Sequence, residues 1–191
     1  MATINVAKRR IDTKIVYYGP GQSGKTTNLV NVHARMPAEL RGDLRSIDTA
    51  EERTLFFDFM PVEEIEVGGW AIRFHLYTVP GQKDYVRTRR AILGGADGIV
   101  FVADASPEQS DANRESVVEL HEHLVHYGRD AERLPVVLQV NKTDLPQARD
   151  SREVNDDLNE ATWPMFPAMA IRGIGVAETL GAIAKAVAWT L

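Results

Sequence analysis

The 191-residue chain contains no cysteine. A disulfide framework is therefore excluded, and so are prenylation and palmitoylation, which need a thiol. Position 2 is Ala rather than Gly, so N-myristoylation is not expected, and Met1-Ala2-Thr3-Ile4-Asn5 does not resemble a signal peptide. No apolar run reaches the roughly 18–20 residues that a membrane-spanning helix needs. Positive charge is scarce: 22 Lys and Arg against 27 Asp and Glu give a net charge of −5, with no basic stripe, which argues against nucleic acid as a partner. There is no internal repeat, linker or low-complexity segment. With 44% of its residues hydrophobic, the chain has material for one sizeable core, and residues 1–191 are expected to form a single domain.

Gly19-Pro20-Gly21-Gln22-Ser23-Gly24-Lys25-Thr26 matches G-x-x-x-x-G-K-[ST], the phosphate-binding P-loop. Before it runs Lys14-Ile15-Val16-Tyr17-Tyr18, an apolar, β-prone segment; after it, Thr27-Asn28-Leu29-Val30-Asn31-Val32 can begin a helix. Glycines at 19, 21 and 24 let the backbone approach an anion closely. The N–H groups of this loop, Gln22, Ser23 and Thr27 included, then face one concavity at a helix N-terminus. Lys25 supplies a compact positive charge for β- and γ-phosphates, and Thr26 offers a hydroxyl to Mg²⁺. A chance glycine-rich turn would not need that strand and helix around it.

The remaining chain alternates strands with helices. Residues 1–12 read as a polar lead-in, and the first strand as about 14–19. Pro37 should stop the first helix near Met36. Residues 37–54 form a long loop of the kind that is often functional. Leu55 to Val62 is β-prone, with Asp58 inside it. Ile65 to Tyr77 is a hairpin turning at Gly68-Gly69. Gly98 to Asp104 is a strand buried on both faces. Ser106-Pro107-Glu108-Gln109 is the N-terminal signal of a helix to about 127. Leu134 to Val140 is a buried strand, Asp150 and Glu153 suit a helix start, Met165 to Ala170 is a weak last strand, and Gly175 to Trp189 is the closing helix. This order predicts an α/β fold with a mostly parallel central sheet flanked by helices.

Asn141-Lys142-Thr143-Asp144 follows the strand at 134–140 and matches N-K-x-D. The Asp144 carboxylate can accept from guanine N1–H and the 2-amino group, a pair of donors that adenine lacks on that edge. Lys142 can lay its stem along a base, and Asn141 can join this loop to the P-loop. His121, His123 and His126 stand at spacings of two and three; position 125 is Val, so H-E-x-x-H is not met and a solvated helix face is expected. Arg87, Arg89 and Arg90 are either a docking surface or a solvated one.

With both motifs in place, the chain resembles a Ras-like small GTPase, a P-loop NTPase with a G domain. More narrowly, it resembles the bacterial MglA family of gliding-motility and cell-polarity GTPases. That likeness rests on Lys14-Ile-Val-Tyr-Tyr-Gly-Pro-Gly, Arg53-Thr-Leu-Phe-Phe-Asp-Phe59, Arg73-Phe-His-Leu-Tyr-Thr-Val-Pro-Gly-Gln82 and Gly98-Ile-Val-Phe-Val-Ala-Asp. The resemblance implies a GTP-binding switch that hydrolyses GTP to GDP and phosphate with Mg²⁺. It places Gly81 at the γ-phosphate, Gln82 as the residue that orients the attacking water, Thr54 at Mg²⁺ and γ-phosphate, and Arg53 as an arginine finger in cis. Thr78 stands where Ras-like proteins carry Asp, a departure the MglA family shares. Asp58 either supplies the missing charge through water or is a plain strand-edge carboxylate. Ala170 aligns with the last guanine-contact loop, its N–H facing O6. The resemblance further implies slow turnover, stimulation by an MglB-type roadblock-domain dimer, unidentified downstream effectors, a chain that is monomeric alone, and a cytoplasmic protein drawn to a cell pole through partners. Two rivals stay open: a non-hydrolysing, GTP-loaded scaffold, and a P-loop ATPase or kinase.

Overall fold

The computed structural model describes residues 2–37, 45–46, 57–58, 65–128 and 134–191; for 45–46, 57–58, 65–67 and 83 it describes the backbone only. The central sheet among these residues has seven strands. They are β1 (Thr3–Asn5), β2 (Arg10–Tyr18), β5 (Ile65–Val67), β6 (Trp70–Thr78), β7 (Gly98–Asp104), β8 (Val136–Asn141) and β9 (Met165–Pro167). The order is β5-β6-β2-β7-β8-β9, with β1 paired to β2. Pairs β6–β2, β2–β7, β7–β8 and β8–β9 are parallel; β5–β6 and β1–β2 are antiparallel. The mostly parallel sheet anticipated from the strand–helix alternation is the one observed. The Gly68-Gly69 turn has positive φ at both residues, 60° and 81°, which matches the right-handed strand twist. Two further strands, β3 (Arg45–Ser46) and β4 (Phe57–Asp58), pair antiparallel with each other.

The period-2 alternation of the strands divides the core between two faces. On one, Val16, Tyr18, Ile99, Phe101, Ala103, Leu138 and Val140 meet Leu93 of α2 (Val86–Leu93), Leu120 and Leu124 of α3 (Ser110–His126) and Val154 of α4 (Ser151–Leu158). On the other, Ile15, Tyr17, Leu76, Val100, Val102 and Val137 meet Leu29 and Val32 of α1 (Lys25–Arg35) and Ile183 and Val187 of α5 (Val176–Ala188). All seven residues of β7 are buried, as the unbroken apolar run requires.

Three expectations change. The polar lead-in is part of the sheet: Thr3, Ile4 and Asn5 pair with Asp12, Ile11 and Arg10, along the stretch of β2 that β7 leaves open. Charge does not exclude Arg10 and Asp12 from a strand here, because Asp12 accepts from Arg10 Nε at 3.0 Å and lies 3.0 Å from His75 Nε2 on β6. Ser106 does not cap α3. Its N–H and hydroxyl both donate to Asp104 Oδ1, so residues 107–109 make a 3₁₀ turn and the α-helix starts at Ser110. Asp150 does cap α4, accepting from Arg152 N at 2.8 Å. The three histidines are not one solvated face: His123 is buried, His121 packs edge-on to Trp163, and His126 is exposed.

Candidate functional site

The phosphate loop leaves β2 at Gly19 and enters α1 at Lys25. Gly19 has φ 138°, and a Cβ there would stand 2.3 Å from Val102 O, so the loop lies directly on β7. Gly24 has φ 98°, and a Cβ there would meet Asn141 Nδ2 at 2.2 Å. Between them Gln22, although not glycine, also takes a positive φ of 60°. Few non-glycine residues take this conformation.

Lys25 is buried, its Nζ donating to Gly19 O at 2.9 Å and Pro20 O at 2.6 Å. Burial, reinforced by the nearby charge of Arg89, pushes its ammonium group down to about 7. Thr26 and Thr27 open onto the same cleft of about 1150 Å³, as do Gly21, Gln22, Gly81 and Gln82. Ser23 is buried, and its Oγ has no hydrogen-bond partner among the described residues.

The segment after β6 crosses this cleft. Gly81 packs so tightly on the P-loop that a Cβ would be 2.3 Å from Gly21 Cα. Gln82, exposed, follows at once. Arg89, left undecided from sequence, is neither a docking surface nor solvated. It is buried, forks onto Glu119 (Nε–Oε1 2.6 Å, Nη2–Oε2 2.7 Å), and its Nη1 donates to Pro80 O at 3.2 Å and to Gln82 O. Burial raises the Glu119 carboxyl, but hydrogen bonds from Arg89 and Tyr18 outweigh it and hold the group below the usual range. Sequence reasoning missed Glu119 entirely; nothing in a helix of mixed charges marks one acid among several.

The N-K-x-D segment begins at the end of β8. Asn141 Nδ2 donates to Ser23 O at 2.7 Å, and its Oδ1 accepts from Ala170 N at 2.9 Å. One buried amide thus joins the P-loop, β8 and the turn after β9. Lys142, at φ 66°, pairs with Asp104 Oδ2 at 2.6 Å. Thr143 Oγ1 donates to Ala168 O at 3.1 Å. The Ala170 N–H, expected to face guanine, is instead turned to Asn141: Ala170 is buried, and Asn141 Oδ1 is its acceptor. From α1, Asn31 Nδ2 donates to Ala170 O at 2.6 Å and Arg35 Nη1 to Gly173 O at 3.0 Å. Below them, Asn28, Gln139 and Thr179 form a closed buried set, with Asn28 Nδ2–Gln139 Oε1 at 2.7 Å and Gln139 Nε2–Thr179 Oγ1 at 3.0 Å. The helix that carries Lys25 is thereby fixed to β8, α5 and the turn after β9.

Arg53 and Thr54 lie outside the described residues, and the Asp58 side chain does as well. Thr78 is buried at the end of β6. Among the described residues no group of three or more His, Cys, Asp or Glu is placed to hold a metal ion. Thr26, which lines the cleft, offers the oxygen ligand that Mg²⁺ prefers. No described helix is long and apolar enough to cross a membrane.

A parallel sheet that presents a P-loop at one strand end and an N-K-x-D loop two strands away, bound together by one asparagine, defines the class: a P-loop protein with a Ras-like nucleotide-binding fold. The profile of the ADP-ribosylation factor family matches residues 2–187. The chain is 48% identical over 187 residues to the mutual gliding-motility protein MglA of Myxococcus xanthus, covering 98% of this chain and 96% of that protein. It is 23% identical over 178 residues to ADP-ribosylation factor-like protein 6 of Caenorhabditis elegans, covering 88% and 83%. It is 28% identical over 141 residues to the GTPase RhebL1 of Bos taurus, covering 71% and 76%. The chain belongs to the MglA family of Ras-like small GTPases, within the wider ADP-ribosylation factor family. It is a GTP-binding switch protein.

Proposed function

We propose that this protein hydrolyses GTP to GDP and phosphate with Mg²⁺ bound beside the phosphates, and that the whole chain acts as one nucleotide-binding domain. The observation that carries the reading is the packing of Gly81 on Gly21, which sets Gln82 at the mouth of the cleft that Gly21, Thr26 and Thr27 line. Gln82 orients the attacking water, and the Gly81 N–H serves the γ-phosphate. Gly19, Gly21, Gln22, Ser23, Gly24, Lys25, Thr26 and Thr27 cradle the phosphates. Asp144 reads the guanine edge, Lys142 lines the base, and Asn141, anchored by Ala170, keeps the two ends of the site in register. Thr26 and Thr54 would hold Mg²⁺ through their hydroxyls, Asp58 would reach it through water, and the ion would supply charge neutralisation at the phosphates.

Arg53 is the proposed arginine finger in cis, which would leave a stimulating partner only the task of ordering the loops. We further propose an MglB-type roadblock dimer as that partner, slow turnover without it, a role in cell polarity, and recruitment to a cell pole through partners; the 48% identity to the mutual gliding-motility protein of M. xanthus supports a role in surface motility. Single-turnover hydrolysis by Arg53→Ala tests the assignment. A large fall in rate with GTP still bound is expected. An unchanged rate removes Arg53 from the mechanism, and absence of phosphate release from the unaltered protein, with partner and Mg²⁺ present, favours the scaffold reading instead.

A further inference from the structure

The segment Pro80-Gly81-Gln82 is held from behind as well as from the P-loop. One guanidinium does it. Arg89 on α2 places Nε and Nη2 on the two oxygens of Glu119 on α3, while Nη1 serves the carbonyls of Pro80 and Gln82, the residues on either side of Gly81. Glu119 Oε1 also accepts from the Tyr18 hydroxyl at 2.7 Å, and Tyr18 is the last residue of β2 before the P-loop. That hydroxyl lies 3.2 Å from His123 Nδ1, one turn of α3 further on. Arg89 and His123 are almost wholly buried, at 5% and 1% exposure.

We propose that Arg89, held by Glu119, is a positioning residue for GTP hydrolysis: it fixes the backbone on both sides of Gly81, and so fixes where the Gln82 side chain begins. The inference rests on the hydrolysis reading above and deepens it. A carbonyl on a free loop would exchange between water molecules. Two carbonyls bonded to one buried, forked cation cannot move independently of each other or of α3. Positioning of this kind acts on the reacting geometry rather than on nucleotide affinity, because displacement of a catalytic group by about 1 Å can cost on the order of a hundredfold in rate. The network needs the fork and not the charge alone: four acceptor oxygens are served by three different nitrogens. Glu119 is the member that tests the anchor, since its carboxylate bonds Arg89 and Tyr18 and lies 3.7 Å from His123 Nε2.

The test compares Arg89→Lys, Glu119→Gln and the double variant with the unaltered protein, measuring single-turnover hydrolysis of bound GTP with Mg²⁺ and, separately, GTP and GDP affinity. Arg89→Lys keeps a positive charge and loses the fork; Glu119→Gln keeps shape and volume and weakens the anchor. The expected result is a fall in hydrolysis of tenfold or more in each single variant, a double variant no slower than the worse single one, and nucleotide affinities within threefold of the unaltered protein. Full hydrolysis in Arg89→Lys shows that Arg89 acts by charge alone and overturns the proposal. So does full hydrolysis in Glu119→Gln, or a loss of affinity that parallels the loss of rate, which is the mark of a structural role. If Arg89→Lys fails to fold, Glu119→Gln decides by itself. An unaltered protein that never hydrolyses GTP removes the underlying reading; variants that match an active unaltered protein remove only the role of Arg89.

Discussion

Asn141 and Ser23, 118 positions apart in sequence, are joined by a 2.7 Å hydrogen bond from the asparagine side chain to the serine carbonyl. The same side chain accepts the Ala170 N–H, so a single buried residue fixes the spacing between the loop that would hold the phosphates and the loops that would hold the base. Replacing it by alanine leaves a buried carbonyl and a buried N–H without partners, at about 1–3 kcal/mol each.

The Asn141→Ala protein is therefore expected to lose at least tenfold in guanine-nucleotide affinity and to unfold at a lower temperature. Asn141→Asp keeps the acceptor for Ala170 but sets a buried carboxylate oxygen against the Ser23 carbonyl, so it should bind no better than Asn141→Ala. Equilibrium titration with a fluorescent GDP analogue measures both; affinity within twofold of the unaltered protein in Asn141→Ala would show that the two loops hold their places without this bridge.

Gly81→Ala should slow hydrolysis at least tenfold while GDP still binds. The added methyl would lie 2.3 Å from Gly21 Cα, a rigid backbone atom, and Pro80-Gly81-Gln82 must lift away. Gly21→Val should act in the same direction from the other side, since its Cβ starts 3.3 Å from Gly81 O. Phosphate release in single turnover reads both variants; a normal rate in either places the reacting geometry elsewhere.

Lys25 gives the site a pH dependence with a definite sign. Its ammonium group is held at about 7 by burial and by Arg89, far below an ordinary lysine. A bound polyphosphate favours the charged form, so binding takes up a proton: close to none at pH 6, about half at pH 7 and nearly one at pH 8. Affinity should then weaken by up to about tenfold per pH unit above 7. Calorimetric titration in buffers of different ionisation enthalpy measures the proton directly. No uptake at pH 8 would mean that Lys25 is already charged before the nucleotide arrives.

How much of this was readable beforehand depends on whether a signal is local. The P-loop, the Gly68-Gly69 hairpin and β7 are announced by glycine spacing or by an unbroken apolar run, and each stands where those patterns put it. The β1–β2 hairpin was not legible, because Asp12 is made tolerable in a strand by His75, on a neighbouring strand 63 residues away. Arg87, Arg89 and Arg90 look alike in sequence, and only packing reveals that the middle one meets Glu119. Gln139 sits in a buried strand as a polar interruption; its reason is Asn28, 111 residues earlier. Ser106 carried a proper capping pattern, yet Asp104 two residues before it competes for the same hydroxyl.

On the proposed function, one cleft grips a triphosphate while the N-K-x-D loop reads guanine. The most direct measurement is competition between GTP and ATP for the purified protein in Mg²⁺, repeated with Asp144→Asn. GTP should be retained in large preference to ATP, and the variant should shift its preference towards xanthine nucleotides, whose 2-oxo group accepts where guanine donates. Equal retention of ATP and GTP, with Asp144→Asn indistinguishable from the unaltered protein, would contradict the account.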